Sequence, residues 1–187
     1  MRVDDAAALI APAVRGAGPT WADLGAGGGT FTRALARLLG REHDSAVVHV
    51  VHAVDVDPAV TALRAPGVVP HVADFADEAA WRALALPPLD GVLMANALHF
   101  VPAAGQAALL ARLAAALVPD GRLVVVEYDD RPASRWVPHP VSFARLGAIV
   151  PAGMTAPVRV GERRSAYGGR MYAAVGTSGA VSRRGGA

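Results

Sequence analysis

The chain has 187 residues, of which 53% are hydrophobic, and its formal net charge is only +2. This length fits one compact domain, which we place at residues 1–177, and residues 178–187 are predicted to form a disordered tail. Because the chain has no cysteine, a disulfide framework and a thiolate metal site are excluded. The first residues do not resemble a signal peptide, and no apolar run approaches the roughly 18 residues of a membrane span. We therefore expect a cytoplasmic protein without a membrane partner.

The basic residues do not indicate a nucleic-acid partner. All 18 of them are arginine, and they are spread along the chain with local pairs at Arg163–Arg164 and Arg183–Arg184. A nucleic-acid surface would combine a clustered basic face with interleaved aromatic residues. The ten Trp, Tyr and Phe residues of this chain do not interleave with the arginine pairs. Nucleic acid is therefore an improbable ligand.

Hydrophobic periodicity divides the chain into alternating helices and strands. The predicted elements are helix Asp4–Arg15, strand Thr20–Leu24, helix Thr30–Leu39, strand Val47–Asp55, helix Pro58–Arg64, strand Val68–Asp74, helix Asp77–Leu86, strand Gly91–Asn96, helix Pro102–Val118, strand Arg122–Tyr128, helix Val141–Val150, and strands Val158–Ser165 and Met171–Thr177. This alternation predicts an α/β fold in which a doubly wound, mostly parallel sheet carries helices on both faces.

A glycine-dense turn joins the first predicted strand to the helix that follows it. Gly25, Gly27 and Gly29 let the backbone adopt positive φ and let a ligand lie against it without obstruction by a Cβ. The helix that opens here directs unpaired N–H groups at the same place. Asp23 precedes the first glycine by two residues, and Thr30 stands where the dinucleotide fingerprint has its last glycine.

Acidic residues end the next two predicted strands. Asp55 follows the second strand, where a carboxylate can accept hydrogen bonds from both hydroxyls of a ribose. Its alternative role is a helix N-cap or a turn before Pro58. Asp74 ends the third strand and is followed by Phe75, and Asp74 is equally suited to cap the next helix.

The order acid-x-Gly-x-Gly-x-Gly resembles motif I of the class I S-adenosylmethionine-dependent methyltransferases. The segments Leu89–Phe100 and Leu117–Glu127 are similar to the family's motif II and motif III regions. The resemblance covers about residues 20–177. It implies a Rossmann-like, seven-stranded sheet with an antiparallel C-terminal strand, and it implies a methyltransferase that acts on a small-molecule acceptor.

The resemblance also implies a set of cofactor-binding residues. In the family, the acid after the second strand binds the ribose, and the acid after the third accepts from the adenine amine while a neighbouring apolar residue packs on the ring. When the family's binding positions are transferred residue by residue to this sequence, the resemblance implies that S-adenosylmethionine is bound by Asp23, Gly25, Ala26, Gly27, Gly29, Asp55, Val56, Asp74, Phe75, Asn96 and Ala97.

His99 is the candidate general base, because it follows the fourth strand and imidazole exchanges protons near neutral pH. Its alternative role is to pack over the cofactor or to cap the Pro102 helix. The acceptor is expected to contact the first helix, the loop near Leu98–Pro102 and the segment Tyr128–Pro140. No metal site is predicted, because the adjacent acids Asp129 and Asp130 are typical of a solvated turn.

Two other functions remain open at this point. A nicotinamide-dependent oxidoreductase uses a similar sheet, although Thr30 and Asp23 disfavour it. A catalytically silent protein that binds the cofactor or a partner would retain the glycine loop without turnover.

Overall fold

The computed structural model describes residues 1–43 and 47–179. Its helices and strands alternate as the sequence predicts. In chain order they are α1 Val3–Val14, β1 Thr20–Leu24, α2 Thr30–Glu42, β2 Val50–Asp55, a 3₁₀ helix Pro58–Ala62, β3 Val68–Val72, α3 Glu78–Ala83, β4 Leu89–Ala95, a 3₁₀ helix Leu98–Phe100, α4 Gln106–Ala115, β5 Leu117–Tyr128, α5 Phe143–Ile149, β6 Val158–Arg164 and β7 Arg170–Thr177.

The seven strands form one sheet in the order β3-β2-β1-β4-β5-β7-β6. Strands β1 to β5 are mutually parallel, and β7 runs antiparallel to both β5 and β6. The predicted fold class is therefore confirmed, including the antiparallel C-terminal strand. The strand order reverses between β1 and β4, and a crevice for ligands opens at such a reversal in α/β sheets.

Two hydrophobic layers cover the sheet, one on each face. Helices α1 and α2 bury their apolar sides against one face, where Trp21 and Leu93 are fully buried. Helices α4 and α5 cover the other face, against Met94 and Val125. Because successive strand residues point to opposite faces, β1 and β4 supply both layers and are apolar along most of their length. None of the helices in residues 1–43 and 47–179 is long and apolar enough to cross a membrane.

Several element boundaries differ from the prediction for local reasons. Helix α4 begins at Gln106 instead of Pro102, because Pro102–Gly105 forms a turn in which the Gly105 N–H donates to the Pro102 carbonyl at 2.8 Å. Strand β5 begins at Leu117, and its pairing with β4 is interrupted between Leu89 and Gly91.

The other differences lie at the ends of the sequence and of shorter elements. Helix α1 begins and ends one residue earlier than the predicted Asp4–Arg15. The segment from Pro58 is a 3₁₀ helix. Ser178 still pairs with Met154, and the Gly179 N–H donates to the Gly153 carbonyl, so two residues of the predicted tail are hydrogen-bonded; residues 180–187 lie outside the described residues.

We predict that Gly91→Ala destabilises the fold. A Cβ on Gly91 would lie 2.5 Å from carbon atoms of the Trp21 ring, which is itself fully buried. Relieving that overlap in a close-packed core should cost about 1–3 kcal/mol of unfolding free energy, measured by urea denaturation.

Gly147→Ala is the matched control, because it lies inside α5 and a Cβ there meets no atom within 4 Å. We expect this variant to be neutral or more stable by up to about 1 kcal/mol. Equal losses for the two variants would contradict the packing argument.

Candidate active site

The loop after β1 lies against the loop after β4. Gly25 has φ +77°, and a Cβ on it would lie 2.5 Å from the Cβ of Ala97. The N–H groups of Gly25 and Ala26 donate to the Val54 carbonyl at 2.9 and 3.1 Å. Glycine is therefore required at position 25 both for its backbone conformation and for the close approach of the two loops.

The tip of the glycine loop is open. Gly27 has φ +49°, and neither Gly27 nor Gly28 would meet another atom within 4 Å if a Cβ were added. The Gly27 N–H donates to Asp55 Oδ2 at 2.7 Å, and Asp55 Oδ1 accepts from the Asp57 N–H at 2.9 Å. The loop is thus held from the end of β2 while its outer side remains accessible to a ligand.

Three cavities open at the carboxyl ends of the parallel strands. We name them after one lining residue each: the Asp55 cavity of about 650 Å³, the Arg164 cavity of about 300 Å³ and the His99 cavity of about 680 Å³. Asn96, the first residue after β4, lines all three. Among the described residues, Asn96 is the one that the three linings have in common.

The Asp55 cavity contains most of the predicted cofactor-binding residues. Those that line it are Gly25, Gly27, Asp55, Val56, Asp74, Phe75, Asn96 and Ala97. The carboxylate of Asp74 accepts from the Ala76 N–H at 2.8 Å, whereas Asp77 caps α3. The alternative that Asp74 caps this helix is therefore wrong.

The remaining predicted residues lie elsewhere. Ala26 lines the Arg164 cavity. Gly29 precedes α2 and faces Leu63, because a Cβ on it would lie 2.4 Å from that side chain. Asp23 is buried behind the loop and lines none of the three cavities.

Asp23 is a carboxylic acid held without an ionic partner among the described residues. Its Oδ2 accepts from the Thr32 hydroxyl at 2.6 Å, and its Oδ1 is buried without a described hydrogen-bond partner. Burial is the main cause that raises the pKa of Asp23 to about 6; the Thr32 hydrogen bond opposes this rise, and the charge of Asp55 contributes to it.

Asn96 occupies a strained position. It has φ +55°, in the left-handed region that asparagine tolerates better than most residues. Its N–H donates to the Val126 carbonyl at 2.8 Å, and its side-chain Oδ1 is buried with no hydrogen-bond partner among the described residues. Because an unpaired buried oxygen is costly, this Oδ1 is an acceptor that the described residues leave unsatisfied.

His99 and Glu127 form a buried pair at the base of the His99 cavity. Glu127 Oε2 lies 2.7 Å from His99 Nδ1, and Glu127 Oε1 accepts from the His99 backbone N–H at 3.1 Å. In the tautomer with the proton on Nδ1, the ring donates to Glu127 and leaves Nε2 as the acceptor. The alternative that His99 caps the next helix is wrong, because α4 begins only at Gln106.

The His99 cavity is lined partly by residues that the sequence analysis anticipated. Trp136 and Tyr128 belong to the segment expected to contact an acceptor, and Phe100 belongs to the loop after β4. Tyr167, from the turn between β6 and β7, was not predicted, and the first helix does not line this cavity. No sequence signal linked Tyr167 to the site, since it lies 68 residues after His99 and in a different kind of element.

The acids after β5 serve the structure. Asp129 accepts from the Phe143 N–H at 2.8 Å and pairs with Arg159 at 2.7 Å. Asp130 pairs with Arg170. In residues 1–43 and 47–179 no three His, Asp or Glu side chains are grouped as metal ligands would be.

The family described as a methyltransferase domain matches residues 22–123, which run from β1 into β5. A comparison with curated proteins finds no match.

Three solved structures illustrate the similarity of the fold. The N-methyltransferase NodS from Bradyrhizobium japonicum is 18% identical with a TM-score of 0.68, and the alignment covers 95% of this chain and 94% of that one. A second structure is the 1,6-didemethyltoxoflavin-N1-methyltransferase from Burkholderia thailandensis, bound to 1,6-didemethyltoxoflavin and S-adenosylhomocysteine. It is 22% identical with a TM-score of 0.65, and the alignment covers 95% of this chain and 78% of that one. Human N-acetylserotonin methyltransferase in complex with SAM is 16% identical (TM-score 0.62; coverage 87% and 48%), so this chain spans about half of its length.

We predict that ionisation of Asp23 destabilises the protein as pH rises. Because its pKa is about 6 in the folded protein and 3.8 ordinarily, the folded protein binds the Asp23 proton more tightly. The stability that the neutral acid contributes is present below pH 4 and is lost as pH rises through 6, by an amount on the order of 3 kcal/mol.

Comparison with Asp23→Asn isolates this effect, because asparagine stays neutral and keeps an oxygen for the Thr32 hydroxyl. From urea unfolding at pH 4 and pH 7, the variant should gain stability relative to the unmodified protein as pH rises. A stability difference that does not change with pH would contradict the assignment.

Proposed function

The chain belongs to the methyltransferase-domain family, and we propose that it transfers the methyl group of S-adenosylmethionine to a small-molecule acceptor bound in the His99 cavity. The observation that carries this proposal is the junction of the three cavities at Asn96. A cofactor that occupies the Asp55 and Arg164 cavities and an acceptor in the His99 cavity would meet there. The similarities lend no support to a nicotinamide-dependent oxidoreductase.

The residues of the Asp55 cavity suit the adenosine half of the cofactor. Asp55 is half-buried, and each of its oxygens accepts only one described hydrogen bond, so both retain capacity for ribose hydroxyls. Asp74 would accept from the adenine amine, and Phe75 would pack on the ring. The open tip at Gly27 leaves room for the chain that joins the sugar to the methionine half.

The methionine half would lie along the Arg164 cavity. The unpaired Oδ1 of Asn96 is an acceptor for the ammonium group, and the arginines of β6 border the same cavity. When bound, S-adenosylmethionine supplies a methyl carbon attached to a positively charged sulfur, which is a good leaving group. The protein's part is then to hold the acceptor atom in line and to exclude water.

His99 is proposed as the general base for an acceptor hydroxyl or amine. Glu127 holds the imidazole through Nδ1, so Nε2 is the nitrogen that takes the acceptor's proton. Glu127 is thus a positioning residue, because it acts through His99. The buried pair also keeps the imidazole in one orientation at the base of the cavity.

Three further parts of the proposal concern the whole protein. We propose that residues 1–177 act as one domain and that the protein is cytoplasmic, for which the absence of cysteine is the support. The dispersed arginines favour a small-molecule acceptor over nucleic acid.

We predict that Asp55→Ala weakens S-adenosylmethionine binding by more than about 1 kcal/mol, because it strands two ribose hydroxyls and frees the Gly27 N–H. Isothermal titration calorimetry measures the change in Kd. Asp57→Ala is the matched control, since Asp57 caps the neighbouring 3₁₀ helix and lines none of the three cavities. An unchanged Kd for Asp55→Ala would remove Asp55 from the site.

Turnover is tested with S-adenosylmethionine and a collection of phenols, amines and thiols, with methylated products detected by mass spectrometry. We expect His99→Gln to lower kcat by about 10²–10⁴-fold while S-adenosylhomocysteine binds as before. Glutamine keeps a donor for Glu127 but lacks a basic nitrogen. His139→Gln, which changes a histidine outside the cavities, should leave kcat unaltered.

Two results would count against the proposal. Cofactor binding without product from any acceptor would support a catalytically silent protein. Full activity of His99→Gln would show that His99 is not the base.

A further inference from the structure

Three exposed aromatic side chains surround the His99 cavity. Phe100, Trp136 and Tyr167 are 58%, 66% and 79% exposed. They come from three separate segments: the 3₁₀ helix after β4, the connection from β5 to α5, and the turn between β6 and β7. Large aromatic side chains seldom stay exposed in a group unless they bind something. The guanidinium carbon of Arg135 lies 4.8 Å from the centroid of the Trp136 ring, and the ring faces that remain open suit stacking against a flat ring.

The cavity also contains a positive charge without a described counter-ion. Arg131 lines it and is half-buried, with the guanidinium carbon 4.8 Å from the centroid of the Tyr128 ring. The neighbouring acids are engaged elsewhere, Asp129 with Arg159 and Asp130 with Arg170. Among the described residues, none within salt-bridge distance of Arg131 is acidic, and none that lines this cavity is acidic either.

Arg131 is also held in place. Its aliphatic chain packs against Gly169, because a Cβ there would lie 2.7 Å from Arg131 Cγ. The contact with the Tyr128 ring orients the guanidinium further. An arginine placed in this way is suited to a planar, bidentate partner such as a carboxylate.

Resting on the proposed function, we infer that the acceptor is a planar aromatic hydroxy acid. Its carboxylate pairs with Arg131, its ring system stacks among Phe100, Trp136 and Tyr167, and its hydroxyl faces His99. The cavity volume of about 680 Å³ accommodates more than one ring, since pockets of roughly 300–1,000 Å³ hold drug-sized ligands.

The reaction then balances without a further reagent. The phenolic proton moves to Nε2 of His99, and the phenolic oxygen forms a bond to the methyl carbon. The bond between that carbon and sulfur breaks with its electron pair remaining on sulfur. The products are an aryl methyl ether, S-adenosylhomocysteine and a protonated His99.

The test compares the binding of three naphthalene probes that share a hydroxylated ring system, in the presence of saturating S-adenosylhomocysteine. They are 6-hydroxy-2-naphthoate, its neutral amide 6-hydroxy-2-naphthamide, and 2-naphthol, which lacks the acid. By calorimetry the carboxylate should bind at least about tenfold more tightly than the amide, as expected for a charge-assisted hydrogen bond. With S-adenosylmethionine in place of the product, 6-methoxy-2-naphthoate should form.

Three variants test which residue causes the preference for the carboxylate probe over the amide. Arg131→Gln should abolish the preference for the carboxylate over the amide, whereas Trp136→Ala should weaken both probes by a similar factor. Arg41→Gln is the control, because it removes the same charge from the exposed surface of α2. Its preference for the carboxylate should match that of the unmodified protein.

The outcomes separate the inference from the proposed function. If S-adenosylhomocysteine does not bind, the proposed function itself fails. If it binds but the carboxylate has no advantage, or if no naphthalene probe binds, the proposed function stands and the inference is overturned. An advantage that survives Arg131→Gln also overturns it.

Discussion

The close approach of two loops at the centre of the sheet determines the rest of the site. Gly25 after β1 and Ala97 after β4 leave no space for an added Cβ between them. Strands β1 and β4 are neighbours whose following connections turn in opposite directions, so the crevice opens directly above this contact. The three cavities meet at Asn96 because that residue leads out of β4 at the same point.

Two buried carboxyl groups lie close to this crevice and are used differently. Asp23 in β1 has only the Thr32 hydroxyl as a described partner, so burial favours its neutral form and raises its pKa. Glu127 in β5 accepts from both the backbone and the ring of His99. Both oxygens of this buried carboxyl group therefore have partners within the protein, and the same bonds hold the imidazole. The surroundings of each acid therefore determine its role.

The sequence predicted the fold, and it singled out residues that the structure brings together in the Asp55 cavity, because both depend on local patterns. Glycines at a strand end and acids after the next two strands lie within short segments, and parallel strands bring their ends together. The acceptor side depends on contacts between distant segments. Arg131 lies in the segment Tyr128–Pro140 that was expected to contact the acceptor, but Tyr167 reaches the same cavity through the packing of β7 on β5, for which no periodicity or spacing gives a signal. The predicted helix begins at Pro102, four residues before the start of α4 at Gln106, because proline is also common in the first turn of a helix.

The most direct test of this account is a crystal structure of the protein with S-adenosylhomocysteine. The account predicts that electron density for the ligand passes the glycine loop, with the ribose hydroxyls on Asp55, the adenine beside Phe75 and the sulfur near Asn96. The His99 cavity should remain open to an acceptor. Density that fills the His99 cavity instead, or a ribose bound away from Asp55, would contradict the arrangement of cofactor and acceptor about Asn96.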